Sequence, residues 1–314
     1  MREVETKDNY QLSMINCQLR RVVALGFFDG VHVGHGRLFV CAAERAERLG
    51  CTACALTFDT HPLTLVSGRP VPLLCSTEER ASLIRTLYAV PEVVIDPFTG
   101  ETARIPWTEY IENVLVRRLG AVHLVVGHDF TFGHRGEGTP ERLSAYCERH
   151  GIGCDVIPPK RVDGVRVSST YIRGLIAEGD MERAARFLGH RYRLSGVVAP
   201  GEGRGRQLGF PTVNLPLPHE RQAPLWGVYA TFVGWNGQLY PAVTNVGNRP
   251  SVRSGGTPTV ESTLLNFDRD LYGETIDVEF VTFLRPEQRF ASLELLSAQV
   301  RRDMQAALEA LHQH

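Results

Sequence analysis

Two histidines three residues apart, His32 and His35, stand in the glycine-rich run GFFDGVHVGH at 26–35. Glycines at 30 and 34 let the main chain approach a phosphate closely, and two imidazoles at this spacing can face the same group. Together they suit charge developing on a phosphoryl centre. A second run, GEGRGRQLGFPTVN at 201–214, is the densest in glycine and arginine in the chain. It offers exposed amides and cations, hence an anion cradle. No Gly-Lys-Ser/Thr follows, so it is not a Walker loop, and a basic surface turn is its ordinary alternative. Cys51 and Cys54 have the spacing of a redox pair or half a zinc site. They lie in CTACALTFD, which reads as a buried strand, and no second pair completes a site, so core thiols are expected.

The elements that must hold these residues follow from periodicity. In the first half, short apolar runs at 22–25, 53–58, 93–95, 121–127 and 151–157 read as strands. Between them lie helical patterns at 37–49, from the Ser76-Thr-Glu-Glu79 capping box, at 108–119, and from Thr139-Pro140 to about 149. Strands alternating with helices predict a parallel sheet covered on both faces, and they put 26–35 outside the carboxyl end of the first strand. Helices at 169–178 and 181–188 follow. Thereafter strands are expected at 192–198, 228–235, 238–244, 259–267 and 275–283, with Asn236-Gly237 as a hairpin turn and a closing helix at 291–311. The second half is thus antiparallel β with one helix, a small barrel or sandwich.

The chain has 314 residues, a length for two domains, and a net charge of −1 that gives no general attraction to nucleic acid or anionic membrane. Any anionic substrate must be held by a local site. No apolar run approaches a membrane span, and the polar N-terminus does not resemble a secretory signal. Seven cysteines, all in the first half, fit thiols in a reducing cytoplasm.

GFFDGVHVGH resembles the phosphate-binding signature of a nucleotidyltransferase superfamily with a Rossmann-like domain. Within it, the chain is similar to the adenylyltransferase half of the prokaryotic bifunctional riboflavin kinase/FAD synthetases. TFDTHP at 57–62, GHDFTFG at 127–133 and SSTYIR at 168–173 look like that family's further motifs, in order. The resemblance implies that His32 and His35 contact ATP phosphates and act in catalysis with Arg173. It places Gly26, Phe28, Asp29, Gly30, Gly34, Ser168, Ser169 and Thr170 around the phosphates, and His61, Asp129, Phe130 and Phe132 around the flavin. FPTVN at 210–214, GVYA at 227–230, NVGNRP at 245–250 and VESTLLNF at 260–267 are similar to riboflavin kinase motifs, with DLYG at 270–273 completing them. Here the resemblance implies a Greek-key β-barrel with a terminal helix, Thr212 and Asn214 as ligands of magnesium bound with ATP, and Glu261 as the base for the riboflavin hydroxyl. Gly203, Gly205 and Arg206 would line the nucleotide phosphates, and Asn245 and Arg249 the flavin.

These expectations define a first domain at 1–188 forming FAD from FMN and ATP, and a second at 189–314 forming FMN from riboflavin and ATP. Small-molecule partners only, with no nucleic acid and no membrane, are expected in the cytoplasm; oligomeric state stays open. The chain departs from the common pattern at Thr60 (usually proline), Val213 (alanine), Ser251 (threonine), Thr263 (histidine) and Asn266 (aspartate). Val213 is expected in a tight turn, where its extra methyl carbons could crowd the ligands. Each site residue also has a plain reading: an N-cap for Ser168, a turn former for Asp129, a loop imidazole for His61, a turn cap for Asp29, a strand-surface carboxylate for Glu261. Two other functions compete: transfer to a different acceptor, such as a phosphopantetheine or nicotinate mononucleotide, and one half serving only as a flavin-binding regulatory module.

Overall fold

A computed structural model describes residues 20–200, 212–247 and 258–313. The chain divides into two compact units, Met1–Val71 with Ser76–Val167, and Pro72–Cys75 with Ser168–His314. The helices at 169–178 and 181–188 thus group with the second unit, earlier in the chain than the 188/189 division suggested by patterning.

The first unit is built on the five apolar runs. β1 (Arg21–Leu25), β2 (Thr52–Phe58), β3 (Glu92–Asp96), β4 (Ala121–Gly127) and β5 (Gly153–Ile157) form a sheet in the order β3-β2-β1-β4-β5. All four pairings are parallel. The chain winds from β1 outward through β2 to β3, then returns to the other side of β1 with β4 and β5. The loop after β1 therefore opens at the point where the winding direction reverses, the usual ligand crevice of such sheets.

Helix α1 (Val33–Leu49) packs on β1, β2 and β4 from one side. It begins before the expected Arg37, so His35 lies in its first turn. α2 (Pro62–Ser67), a short helix not expected from the pattern, precedes α3 (Thr77–Tyr88). Ser76 and Glu79 of α3 make both bonds of the capping box.

α4 begins as a single α-turn, Trp107–Glu109, and continues as a π-helix over Tyr110–Arg118, with Leu119 N–H bonded to Val114 O at 3.1 Å. With α5 (Pro140–His150) it covers the opposite face. Ile111, Leu115, Leu143 and Cys147 of these helices join Val23, Cys54, Leu56 and Leu124 of the sheet in one core. Cys54 is fully buried, as the strand reading requires. A two-residue hairpin, β6 (Arg161–Val162) with β7 (Val165–Arg166), completes the unit.

The second unit opens with α6 (Ser169–Glu178) and α7 (Met181–Leu188). It continues with β8 (Arg193–Val197), β9 (Thr212–Pro216), β10 (Gly227–Trp235), β11 (Gln238–Gly247), β12 (Thr259–Leu264) and β13 (Thr275–Arg285). Their order is β8-β13-β10-β11-β12-β9, with every pairing antiparallel. An antiparallel bridge from Ala199 to Asn214 joins the two ends and nearly closes the barrel. Three hairpin-connected strands, β10 to β12, with β9 returned beside β12, make the Greek key.

At the β10–β11 turn both Asn236 (φ 49°) and Gly237 (φ 76°) are left-handed, as an Asn-Gly hairpin demands. Helix α8 (Leu293–Leu311) lays Ala307 and Leu311 against Val228, Ala230, Val243 and Val281.

One expectation needs correction. Thr212–Pro216 is an extended strand, so Val213 is not in a tight turn. Alternation along β9 directs it to the face opposite Thr212 and Asn214, where a β-branched residue packs well and does not crowd them.

Candidate active sites

The first candidate site is the connection from β1 to α1. Phe28 (φ 58°, ψ 31°), Gly30 (φ 73°) and Val31 (φ 45°) are all left-handed, and Val31 N–H returns to Phe28 O at 3.0 Å. A β-branched residue at positive φ is a strained outlier of the kind found at ligand sites. Val31 is fully buried, which holds it there. Gly30 and Val31 are left-handed in succession, so the chain reverses tightly just before His32 and the start of α1.

His32 is the N-cap of α1: its Nδ1 accepts the His35 N–H at 3.2 Å. A ring whose Nδ1 is an acceptor carries its neutral-form proton on Nε2, which is therefore the ring's donor. The His35 ring stacks on it, with centroids 3.5 Å apart and planes 13° from parallel. Burial holds the His35 pKa well below the usual imidazole value, and charge on His32 and on Arg80 pushes the same way. His35 is thus neutral at neutral pH. Its Nδ1 is enclosed with no hydrogen-bond partner among the described residues, the kind of position that awaits a ligand.

Both flanking glycines serve the rings. A Cβ at Gly34 would stand 3.0 Å from the His32 ring, and one at Gly26 would stand 2.6 Å from that of Phe28. Asp29 is buried in the turn itself.

The other residues assigned to this reaction are spread more widely. His61 caps α2, its Nδ1 accepting the Leu63 N–H at 3.1 Å, and its ring lies 4.5 Å from that of Phe27. After β4, Asp129 is exposed and ion-paired with Arg166. Phe130 and Phe132 stack at 5.6 Å, but Phe132 belongs to the core beside Tyr110 while Phe130 is half-covered. In the second unit, Ser168 caps α6 by accepting the Tyr171 N–H at 3.2 Å. Ser169 and Thr170 follow in its first turn, and Arg173 donates through Nε to Pro72 O at 2.6 Å.

The second candidate site is a row across the barrel. The register sets Asn214 of β9 opposite Glu261 of β12, and Glu261 opposite Asn245 of β11; Thr212 faces Thr263 one step along. Directly paired residues point to the same face, so an amide, a carboxylate, a second amide and two hydroxyls share one surface. Asn214 is 3% exposed, yet its Oδ1 has no hydrogen-bond partner among the described residues. A buried amide oxygen without a donor costs roughly 1–3 kcal/mol unless a ligand meets it. Beside Thr212 Oγ1 it forms a hard-oxygen pair, the donor type magnesium prefers, so the residues present fit that ion. Asn245 donates to Glu287 Oε1 at 3.3 Å. Gly203, Gly205, Arg206 and Arg249 lie outside the described residues.

Motif reading gave no part to Arg80, nor to Thr57 and Val31 within the quoted motifs, yet Arg80 and Thr57 both donate to the Phe27 carbonyl beside the turn and Val31 is one of its left-handed residues. The signal for Arg80 was present: a charge in the apolar face of α3, in helical step with Leu83 and Ile84.

Comparison with known proteins bears on both sites. A family model described as FAD synthetase matches residues 14–171, and one described as riboflavin kinase matches 188–311. The bifunctional riboflavin kinase/FMN adenylyltransferase of Pseudomonas fluorescens is 36% identical over 286 residues, 91% of each chain. That of Bacillus subtilis is 33% identical over 93% of this chain and 92% of its own. A crystal structure described as a macrolide-efflux protein from Streptococcus pneumoniae superposes with a TM-score of 0.82 at 29% identity, covering 92% of this chain and 94% of that one. No helix among the described residues is long and apolar enough to cross a membrane. With both family domains present in this order, and relatives matched along nearly its whole length, the chain belongs to the bifunctional riboflavin kinase/FMN adenylyltransferases.

Proposed function

We propose that the barrel unit phosphorylates riboflavin with ATP to give FMN, and that the α/β unit joins FMN to the adenylyl group of a second ATP, giving FAD and pyrophosphate. The observation that carries the reading is the row Asn214–Glu261–Asn245, which gathers an unmet amide oxygen and a carboxylate on one face of the domain matched as riboflavin kinase. The β1–α1 turn supplies the matching support for the second reaction.

In the first reaction the 5′-hydroxyl oxygen of riboflavin bonds to the γ-phosphorus as the bond to the β,γ-bridging oxygen breaks. Glu261 takes the hydroxyl proton, and ADP leaves. Magnesium bound with ATP would be held by Thr212 and Asn214 and would neutralise charge on the β,γ-phosphates. Asn245 orients the flavin.

In the second reaction an FMN phosphate oxygen bonds to the α-phosphorus and pyrophosphate leaves. The nucleophile is already an anion, so no base is needed and the work is alignment and charge stabilisation. The main chain at Gly26, Gly30 and Gly34 and the His32 ring meet the phosphates, with His35 beside them. Ser168, Ser169 and Arg173 bind the leaving pyrophosphate. His61, Asp129 and Phe130 orient the flavin. We assign both reactions to the cytoplasm, a placement supported by the six free thiols among the described residues.

The division of labour is tested by two variants assayed for both reactions. Glu261→Gln should slow FMN formation by about 100-fold or more while leaving FAD formation from supplied FMN within twofold, a general-base loss of the usual size. His32→Ala should do the reverse. A folded variant that lost both activities would contradict the assignment.

A further inference from the structure

Arg80 is the largest fully buried side chain among the described residues. Its place in α3 is flanked by the buried apolar residues Ala81, Leu83 and Ile84. Its Nη1 donates to Phe27 O at 2.7 Å and its Nη2 to Thr77 Oγ1 at 3.1 Å. The guanidinium carbon lies 4.2 Å from the centre of the Phe27 ring. The same carbonyl accepts a second bond from Thr57 Oγ1 of β2 at 2.8 Å. One main-chain oxygen is thus pinned from two elements, and the residue that carries it is also gripped by its ring. The next residue, Phe28, starts the left-handed turn.

We propose that Arg80 is a positioning residue for adenylyl transfer: by fixing the carbonyl and ring of Phe27 it holds the 28–31 turn in its left-handed form, so that the stacked imidazoles of His32 and His35, which follow the turn, meet the ATP phosphates in place. The inference rests on the adenylylation reading and adds a residue which that reading does not use.

Three considerations support it. A turn with three left-handed residues, one of them valine, persists only where its surroundings over-determine it. The Phe27 carbonyl is the last fixed point before that turn. Only a planar guanidinium can donate in two directions while stacking on a ring, a geometry an ammonium cannot reproduce. Finally, the charge of Arg80 reaches the site: with burial and His32, it is one of the influences that keep His35 neutral. Turn geometry and imidazole state thus share one support.

The test uses the full chain with Arg80→Met, Arg80→Lys and Thr77→Val. Arg80→Met should lower kcat/KM for ATP in FAD formation by about 10- to 100-fold, the scale of a small misplacement of reacting groups. Riboflavin phosphorylation, in the other unit, should stay within twofold. Arg80→Lys, which keeps the charge but cannot donate in two directions while stacking on the ring, should recover only a minor part of the loss. Thr77→Val, which frees one arm of the guanidinium, should lose about threefold to tenfold by the same reasoning.

Two readouts do not depend on turnover. Amide exchange at 28–31 in the ligand-free protein should quicken in Arg80→Met and Thr77→Val. The His35 imidazole titration, followed by NMR, should move to higher pH in Arg80→Met and stay in place in Arg80→Lys. Where Arg80→Met does not fold, Thr77→Val and Arg80→Lys decide. Wild-type kinetics with unchanged exchange in Thr77→Val would overturn the proposal, as would an equal loss of both activities in a folded variant. A wild-type chain that made no FAD from FMN would remove the adenylylation reading, while amide exchange would still judge whether Arg80 holds the turn.

Discussion

At the scale of single residues, the adenylylation site depends on which nitrogen carries which proton. The bond from His35 N–H to His32 Nδ1 fixes the His32 tautomer, and stacking at 3.5 Å disfavours charge on both rings. On the same sheet, Asp155 shows the opposite arrangement, a charge that is fully met. It accepts both Nε and Nη2 of Arg45, at 2.6 and 2.9 Å, and faces His123 Nε2 at 2.8 Å. The bonds from Arg45, then that with His123, hold its pKa at about 2 against burial, which pushes it up.

A carboxylate depressed in the folded state stabilises the fold above its unfolded pKa and loses that contribution as pH falls toward the folded value. Asp155 should therefore contribute about 1–2 kcal/mol at pH 5 that disappears between about pH 4 and pH 2. Urea unfolding of wild type and Asp155→Asn across that window checks this. The two curves should converge as pH drops, and a constant gap would contradict the account.

At the scale of elements, an ion pair adds to the apolar packing that seats the terminal helix on the barrel. Arg285 of β13 donates through Nε and Nη2 to Asp303 of α8, at 2.9 and 2.7 Å, and Gln299 adds a bond at 2.8 Å. Asp303 is 5% exposed, so removing it strands a nearly buried guanidinium. Asp303→Ala should cost roughly 3–5 kcal/mol, because breaking one side of a buried pair leaves the other uncompensated. Denaturant unfolding with a barrel-specific probe should show a lowered midpoint; a change below about 1 kcal/mol would mean that apolar packing alone holds α8.

Elements differ in how far the chain announces them. The five apolar runs of the first sheet and the Asn236-Gly237 hairpin are plain from residue types, because burial and turn geometry act locally there. β9 was not, since T-V-N-L-P spends its buried positions on Asn214 and a short apolar stretch, a pattern that serves a site rather than a core. The π register of 110–118 was hidden too. The same apolar stripe satisfies an α or a π winding, and contacts to the sheet decide between them.

At the scale of the whole molecule, two units with unrelated architectures carry two reactions in which the product of one is the substrate of the other. The motifs made this organisation legible because phosphate chemistry needs glycine, histidine and hydroxyl side chains at fixed places. The left-handed form of Val31 was not, since it is set by the packing of distant segments; Arg80 showed only as a charge in an apolar helix face, with nothing in its spacing to name the carbonyl it holds. Because each proposed reaction has its own set of residues, single substitutions should divide the activities.

The most direct test of the central claim is a timed separation of flavins after incubating the purified chain with ATP and magnesium, starting in parallel from riboflavin and from FMN. The account predicts FMN first and FAD later in the riboflavin sample, and FAD alone in the FMN sample. FMN without FAD in both samples, or FAD only where FMN was supplied, would contradict the claim that one chain performs both steps.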